Sequence, residues 1–104
     1  MARFLLVYHG GTMPDTPEGQ AAMMQDWRDW IGAVGAALVV PGAPVGKSWT
    51  IDLKGAREGG GANPVSGYSV LEALDLQAAL EMAKGCPQAR DPGGSIEVAE
   101  VMQM

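Results

Sequence analysis

His9 is the only histidine of the chain, and histidine is the side chain whose ordinary pKa lies near neutrality. It follows an apolar run and precedes two glycines, where an imidazole can face a cleft beside an open backbone. In that position it could act as a general acid or base, provided that a carboxylate orients it. Asp52 and Glu72 are the candidate partners, because each lies in a segment with a strand pattern. The alternative is a strand-end histidine that binds a loop carbonyl.

Two aromatic residues, Tyr68 and Trp49, could line an apolar pocket with a polar rim for a small molecule. The alternative is packing in the core or at an interface, where aromatic residues are also enriched. Cys86 follows a predicted helix C-terminus, whose negative partial charge disfavours a thiolate, so we expect no nucleophilic cysteine. One histidine and one cysteine far apart in sequence give no metal-ligand motif, and the sequence predicts neither a metal site nor a cofactor.

The elements that would position these residues begin with a strand over residues 3–9. Its apolar side chains fall on both faces, which predicts a central strand. A helix is expected from a Thr16 cap, with Pro17 in the first position, to about Val34. Trp27 and Trp30 belong to this helix, and at least one of them should lie in the core.

The segment 67–87 reads as a strand, a turn and a second helix. Asp75 is a suitable helix cap, apolar residues then recur at helical spacing, and Gly85 suits the helix end. A helix of this length is marginal alone, so it must pack on a sheet.

The remaining segments complete the order β-α-β-(β)-β-α-β. Residues 37–40 are predicted to be a strand, 49–53 an edge strand and 95–102 the last strand, whereas 54–63 and 88–94 are expected to be loops. The loop 54–63 should be the most mobile internal segment. This order predicts one α+β domain over residues 1–104, a ferredoxin-like antiparallel sheet with two helices on one face. The uncovered apolar sheet face predicts a homodimer.

Composition narrows the partners and the compartment. The formal charge of −5 disfavours phosphate backbones and anionic membranes, so neither a nucleic acid nor a membrane is expected as a partner. The chain has 1 cysteine and therefore no intrachain disulfide, which is typical of a reducing cytoplasm. The apolar start is too short for a membrane span and lacks a credible cleavage site.

The chain resembles the YCII-related family, also called the DGPF-domain family, over nearly its whole length. The similarity lies in the opening FLLVYHGG, the helix with Trp27 and Trp30, the segment 35–39 leading to Gly42, the segment 67–76 with Ala79, Cys86-Pro87, and residues 95–98. The resemblance implies a dimeric α+β barrel of ferredoxin-like subunits without a settled biochemical activity. It also implies a histidine near the position of His9, paired with an aspartate in one branch of the family. The Asp-Gly-Pro-Phe sequence of the name-giving branch is absent from this chain.

Two functional hypotheses follow. The first and favoured one is a small-molecule-binding or accessory protein with a cleft near His9 and a small organic ligand. The second is a small cofactor-free enzyme that uses His9 as general acid or base, with Asp52 or Glu72 as its partner. Both hypotheses place the function in one pocket, so the fold alone does not separate them.

Overall fold

The computed structural model describes residues 1–103, and their architecture is α+β. The strands are β1 (Ala2–Gly10), β2 (Val40–Pro44), β3 (Trp49–Asp52), β4 (Gly55–Glu58), β5 (Val65–Ala73) and β6 (Gly94–Glu100), and the helices are α1 (Pro17–Val34), α2 (Leu76–Lys84) and α3 (Pro87–Arg90). Four strands form an antiparallel sheet in the order β2-β5-β1-β6, and β3 and β4 form a separate hairpin. The prediction that β1 is central is therefore confirmed.

Side-chain caps define where the two longer helices begin. Thr16 Oγ1 accepts a hydrogen bond from the Gly19 N–H at 3.0 Å, and Pro17 takes the first helical position, as predicted. Asp75 Oδ1 accepts from the Ala78 N–H at 2.9 Å and caps α2 in the same way. Within residues 1–103, no helix is both long and apolar enough to cross a membrane.

The core lies between one face of the sheet and the two longer helices. It combines alternate residues of the central strands with residues of the helices, namely Phe4, Leu6, Tyr8, Leu71, Ala73, Trp30, Leu38, Ala79, Ala83 and Cys86. Trp30 of α1 donates its indole N–H to the Met82 carbonyl oxygen of α2 at 2.9 Å, which joins the two helices across the core. Trp27 is half-buried and meets the Tyr8 ring edge-on at 5.4 Å between centroids.

The opposite face of the sheet carries a second apolar surface, which we call the open face. Strand register aligns four of its residues in one row across the sheet, and these are Val40, Val70, Leu5 and Ala99. A second row contains Ala43, Tyr68, Val7 and Glu97. Leu5, Val7 and Val70 are half-buried, and the other residues of the two rows are exposed. The helices pack on the other face, so no helix covers these two rows.

The region after α1 differs from its prediction. The structure has a 3₁₀ turn at Gly35–Ala37 and places the strand at Val40–Pro44, so the prediction of a strand at 37–40 is wrong in its bounds. Pro41 and Pro44 both lie within β2. This is possible because β2 is an edge strand and carries a bulge. Gly42 has φ +76°, and a Cβ there would lie 1.7 Å from the Tyr68 carbonyl oxygen, so glycine is required at this bulge.

Two further predictions are corrected between β2 and β6. Residues 49–53 do not extend the main sheet, because β3 pairs with β4 in a separate hairpin, and β4 lies inside the segment predicted to be a loop without β structure. The Asp52 side chain accepts from the Lys54 N–H at 2.9 Å, which stabilises the turn between these strands. The predicted loop 88–94 begins inside α3, and Cys86 is the N-cap residue of that helix.

Candidate functional site

His9 lies at the end of β1, where the pairing with β5 contains a bulge. Tyr8 pairs with Gly67 and His9 pairs with Val65, so one extra residue of β5 lies between the two pairs. The imidazole lies on the sheet face opposite to Tyr8, and the side chain is only 10% exposed. The Pro64 carbonyl oxygen, just before the bulge, lies 3.2 Å from His9 Nδ1. The bulge therefore brings a loop carbonyl onto the ring, in agreement with the second alternative for His9.

The carboxylate beside His9 belongs to Glu97 of β6. Glu97 Oε1 lies 3.0 Å from His9 Nε2, while the Glu97 side chain stays 69% exposed. The hydrogen bond to Glu97, and then the one to Pro64, raise the pKa of His9 above its ordinary value. Because both ring nitrogens face acceptors, only the protonated ring can donate to both at once. The geometry thus favours the imidazolium.

A ring held in this way has no nitrogen left for a substrate. General base catalysis needs an unprotonated nitrogen within hydrogen-bond reach of the proton to be removed. Here the proton on Nδ1 is directed at the main chain, and Nε2 is directed at Glu97. A substrate can reach Nε2 only after Glu97 has turned away, or it can contact the exposed oxygen of Glu97 instead.

A cleft of about 490 Å³ opens at the base of the hairpin, and His9 does not line it but is joined to its wall through Pro64. It is lined by residues 46–48, 58–61, 64 and 65, so Pro64 belongs both to the cleft wall and to the hydrogen bond with His9. Lys47 Nζ and Glu58 Oε1 form an ion pair at 2.8 Å across its wall. A Cβ at Gly60 would lie 2.7 Å from Ser48 Oγ and 2.9 Å from Pro64 Cβ. Glycine at 60 therefore lets the loop close on Pro64.

Helix α3 and its C-cap residue Asp91 bind the backbone around His9. Gln88 Nε2 donates to the His9 carbonyl oxygen at 2.8 Å, and Asp91 accepts from the Thr12 N–H at 2.7 Å. The hydrogen bonds from Gly93 and Thr12 lower the pKa of Asp91, so its carboxylate stays charged. These contacts hold the chain after β1 in one path, and the position of the imidazole is defined on that side as well.

The two predicted carboxylate partners lie elsewhere in the structure. Asp52 forms an ion pair with Arg57 at 2.8 Å inside the hairpin, and this hydrogen bond lowers the pKa of Asp52. Glu72 lies 3.6 Å from Arg3, at the other end of β1. Glu72 is seven residues along β5 from the residue that pairs with His9, a distance of about 23 Å at the usual rise of a strand. The carboxylate partner of His9 is Glu97, and neither Asp52 nor Glu72 takes that place.

The two predicted ligand-binding aromatic residues also lie apart from the cleft wall. Tyr68 stands on the open face and is 39% exposed, and Trp49 is 63% exposed on β3 next to Ser48 of the cleft. Their predicted roles in ligand binding stay predictions. Cys86 is fully buried, and burial raises the pKa of its thiol to about 11. The hydrogen bonds at the start of α3 act in the opposite direction, so burial rather than a helix C-terminus keeps this thiol protonated.

Sequence reasoning missed Glu97, Pro64 and Gln88. Glu97 had a detectable signal, because it stands between Ile96 and Val98 in a strand, on the side opposite to both. A carboxylate on that side of the last strand could have been aligned with His9 from the register of neighbouring strands. Pro64 acts through its carbonyl group, which carries no sequence signal.

The residues described in the structure contain no cluster of three or more His, Cys, Asp or Glu side chains that could hold a metal ion. In comparisons with known proteins, no model of a protein family matches the chain, and no curated protein matches it significantly.

Proposed function

We propose that this chain is a YCII-related, homodimeric protein that binds a small organic molecule in the cleft beside His9 and does not turn it over. The observation that carries the proposal is the position of Pro64, which lines the cleft while its carbonyl oxygen lies 3.2 Å from His9 Nδ1. Both ring nitrogens face acceptors, which favours the imidazolium, and neither nitrogen is free to act as a base.

The order of the main strands supports the ferredoxin-like part of the proposal. When the hairpin is left out, the elements follow as β1-α1-β2-β5-α2-β6, and the sheet order is β2-β5-β1-β6. This order supports the split βαβ arrangement that the family resemblance implies. The single cysteine is free, which supports a reducing cytoplasm as the compartment.

Surface area supports the homodimer. A folded monomer of this mass exposes about 5,500 Å² according to the usual scaling. This chain exposes 7156 Å², an excess of roughly 1,600 Å² over that scaling. Obligate dimers bury about 1,000–2,500 Å² on each subunit, so the excess is of the size that one partner would cover. The open face provides an apolar, self-complementary surface, which closes most simply around a twofold axis.

Ligand binding is tested by amide chemical shifts of the ¹⁵N-labelled protein, titrated with a set of small oxo-carboxylic acids. These probes suit the cleft because Lys47 and Ser48 offer donors to a carboxylate. We expect saturable shifts at residues 59–61 and 65 that weaken in Lys47→Met. Lys84→Met is the matched control, since it removes a surface lysine that is paired with Glu81 at 3.0 Å. If no probe shifts the cleft residues, or if both variants weaken binding equally, the proposed site is wrong.

Enzymatic use of His9 is the second candidate, and one observation favours it. The exposed Glu97 carboxylate is held 3.0 Å from a ring nitrogen of His9, an arrangement that can move a proton once Glu97 turns away. Incubation of the same oxo acids in D₂O tests it. An enzyme should accelerate exchange of their acidic C–H protons, and His9→Gln should abolish the acceleration. Binding without any accelerated exchange supports the first function.

The dimer is tested by light scattering on the wild type and on Val70→Asp. The wild type should have twice the chain mass of 10.8 kDa, and the buried carboxylate should split the dimer. Leu74→Asp is the control, because Leu74 is 77% exposed and lies outside the two rows of the open face. Circular dichroism shows whether each variant stays folded. A wild-type mass near that of one chain at every concentration would refute the dimer.

A further inference from the structure

The hairpin formed by β3 and β4, together with Lys47 and Ser48 before it, projects from the rest of the chain, and we call residues 47–58 the arm. None of its residues is buried, and only Ser48 and Thr50 are half-buried. An isolated two-stranded hairpin is marginally stable in water, since it has too few apolar contacts to offset the loss of chain entropy. The arm therefore needs a surface to pack against.

The apolar residues of the arm share one part of it. Trp49 and Ile51 alternate with polar residues on β3 and lie on one face, and Leu53 follows at the turn. Their exposed fractions are 63%, 80% and 107%. Large apolar side chains that are clustered and uncovered mark an interaction site rather than ordinary surface.

Charge distinguishes the arm from the remainder of the chain. It carries three of the seven basic residues and two of the twelve acidic residues, so its net charge is +1 while the rest of the chain carries −6. Two of the basic residues are paired within the arm, Lys47 with Glu58 and Arg57 with Asp52. Lys54 stands at the turn, and within residues 1–103 it forms no ion pair. The arm thus presents apolar residues and a positive charge, and the complementary surface is apolar and acidic.

A second copy of this chain has that surface. The open face supplies the apolar rows described above, and because its Glu72 and Glu97 are paired with Arg3 and His9, the acidic complement to Lys54 is the rest of the body, whose net charge is −6. The excess exposed area, roughly 1,600 Å² per chain, is larger than the 800 Å² that each partner contributes to a standard interface. Packing of the two open faces against each other would leave the apolar residues of the arm exposed. If the arm also packs on the partner, both apolar surfaces are covered.

We infer that the arm of each protomer packs against the body of its dimer partner through Trp49, Ile51 and Leu53. The inference rests on the proposed homodimer and adds to the pairing of the two open faces a specific contact made by the arm. In this contact the partner covers the apolar face of the arm, and Lys54 is directed at the acidic body of the partner. We call this contact the clasp. The cleft at the base of the arm then lies beside the dimer interface.

The test compares Ile51→Ser with Leu74→Ser, because the two side chains are 80% and 77% exposed in the single chain. If the arm forms the clasp, Ile51→Ser should raise the dimer dissociation constant at least about tenfold, the effect of exposing one large aliphatic side chain. Leu74→Ser should leave the constant unchanged. Sedimentation velocity across a dilution series measures both, and circular dichroism checks that the body stays folded.

A second measurement locates the contact. A spin label on Ala56→Cys, which pairs with Ile51 across the hairpin and leaves Trp49, Ile51 and Leu53 in place, is introduced into unlabelled protein and mixed with ¹⁵N-labelled wild-type chains, so that any broadening must come from the partner. Cys86 is fully buried and does not compete for the label. We expect broadening of amides in the body of the ¹⁵N-labelled chain.

The possible outcomes separate this inference from the dimer itself. A wild-type dimer that Val70→Asp splits, but that Ile51→Ser leaves intact and in which no amide is broadened, overturns the clasp and retains the dimer. A wild type that is monomeric at every concentration overturns both.

Discussion

A buried chain of hydrogen bonds between β1, β5 and β2 predicts unequal effects of two conservative substitutions. Tyr8 Oη lies 2.7 Å from Ser69 Oγ, and Ser69 donates its own proton to the Pro41 carbonyl oxygen at 2.7 Å. Because Ser69 has one proton and donates it to Pro41, Tyr8 must be the donor in the first bond. Burial raises the pKa of Tyr8 to about 12, so its hydroxyl keeps the proton that this role requires.

The magnitudes follow from which groups lose a partner. Tyr8→Phe removes one hydrogen bond and leaves Ser69 bonded to Pro41, which should lower the free energy of unfolding by about 1 kcal/mol. Ser69→Ala leaves the buried Tyr8 hydroxyl without an acceptor, at about 1–3 kcal/mol, in addition to the lost bond, giving about 2–4 kcal/mol. Pro41 is exposed, so water can replace Ser69 at its carbonyl. The neighbouring Cys86 thiol is too weak an acceptor to compensate for Tyr8.

The assay is urea unfolding of the two single variants and of Tyr8→Phe/Ser69→Ala. Protomer concentration must be the same throughout, because a dimer has a concentration-dependent stability. The double variant no longer contains the Tyr8 hydroxyl, which lacks an acceptor in Ser69→Ala, so it should be more stable than Ser69→Ala. The reasoning is refuted if Tyr8→Phe is as destabilising as Ser69→Ala, or if the double variant loses the sum of both.

Three predictions concern His9. In an NMR titration, Glu97→Gln should lower the pKa of His9 toward its ordinary value, whereas Glu72→Gln should not change it. Because the pKa of His9 is raised in the folded state, its contribution to the free energy of unfolding should be complete below about pH 6.5 and be lost as pH rises through the folded pKa. The free energy of unfolding of His9→Asn should lack this pH dependence. Gly60→Ala must displace Pro64 and should also lower the pKa of His9, whereas Gly46→Ala has open space and should leave it unchanged, and equal values would contradict the role of Pro64.

The elements with strong local signals could be predicted from the sequence. The caps Thr16 and Asp75 offer side-chain oxygens to free helix N–H groups, and this chemistry needs no tertiary information. The central position of β1 was indicated by the apolar residues on both of its faces, a pattern typical of inner strands, although the structure leaves the face of Leu5 and Val7 without a helix.

The hairpin and β2 could not be predicted because their conformations depend on contacts. Residues 55–58 have no apolar alternation, and they form β4 only because β3 pairs with them around the turn at Asp52. Pro41 and Pro44 argue against a strand by their missing N–H groups, yet an edge strand with a bulge at Gly42 can contain both. Local propensity gives the wrong answer where pairing decides the conformation.

The candidate site could be predicted only in part, because the partner of His9 also depends on strand pairing. His9 could be chosen from its type and its place before two glycines, but its partner depends on which strand lies beside β1 and in which register. Glu97 is 88 residues away in sequence, and only the pairing of β1 with β6 brings it to Nε2. Asp52 and Glu72 have equally suitable side chains and lie near arginines instead.

The two hydrogen bonds of His9 differ in how easily a ligand can replace them. Pro64 is part of the backbone at the bulge, so its carbonyl cannot leave Nδ1 without moving β5. In the single chain the Glu97 side chain is 69% exposed, and exposed ion pairs contribute little, so turning it away has a small energetic cost where the partner subunit leaves this end of the open face uncovered. When Glu97 turns away, the imidazolium presents one N–H, and the matching ligand group is an anionic oxygen. Because the hydrogen bond at Nδ1 is fixed and the one at Nε2 is easily broken, the site favours binding of a small acid over general base catalysis.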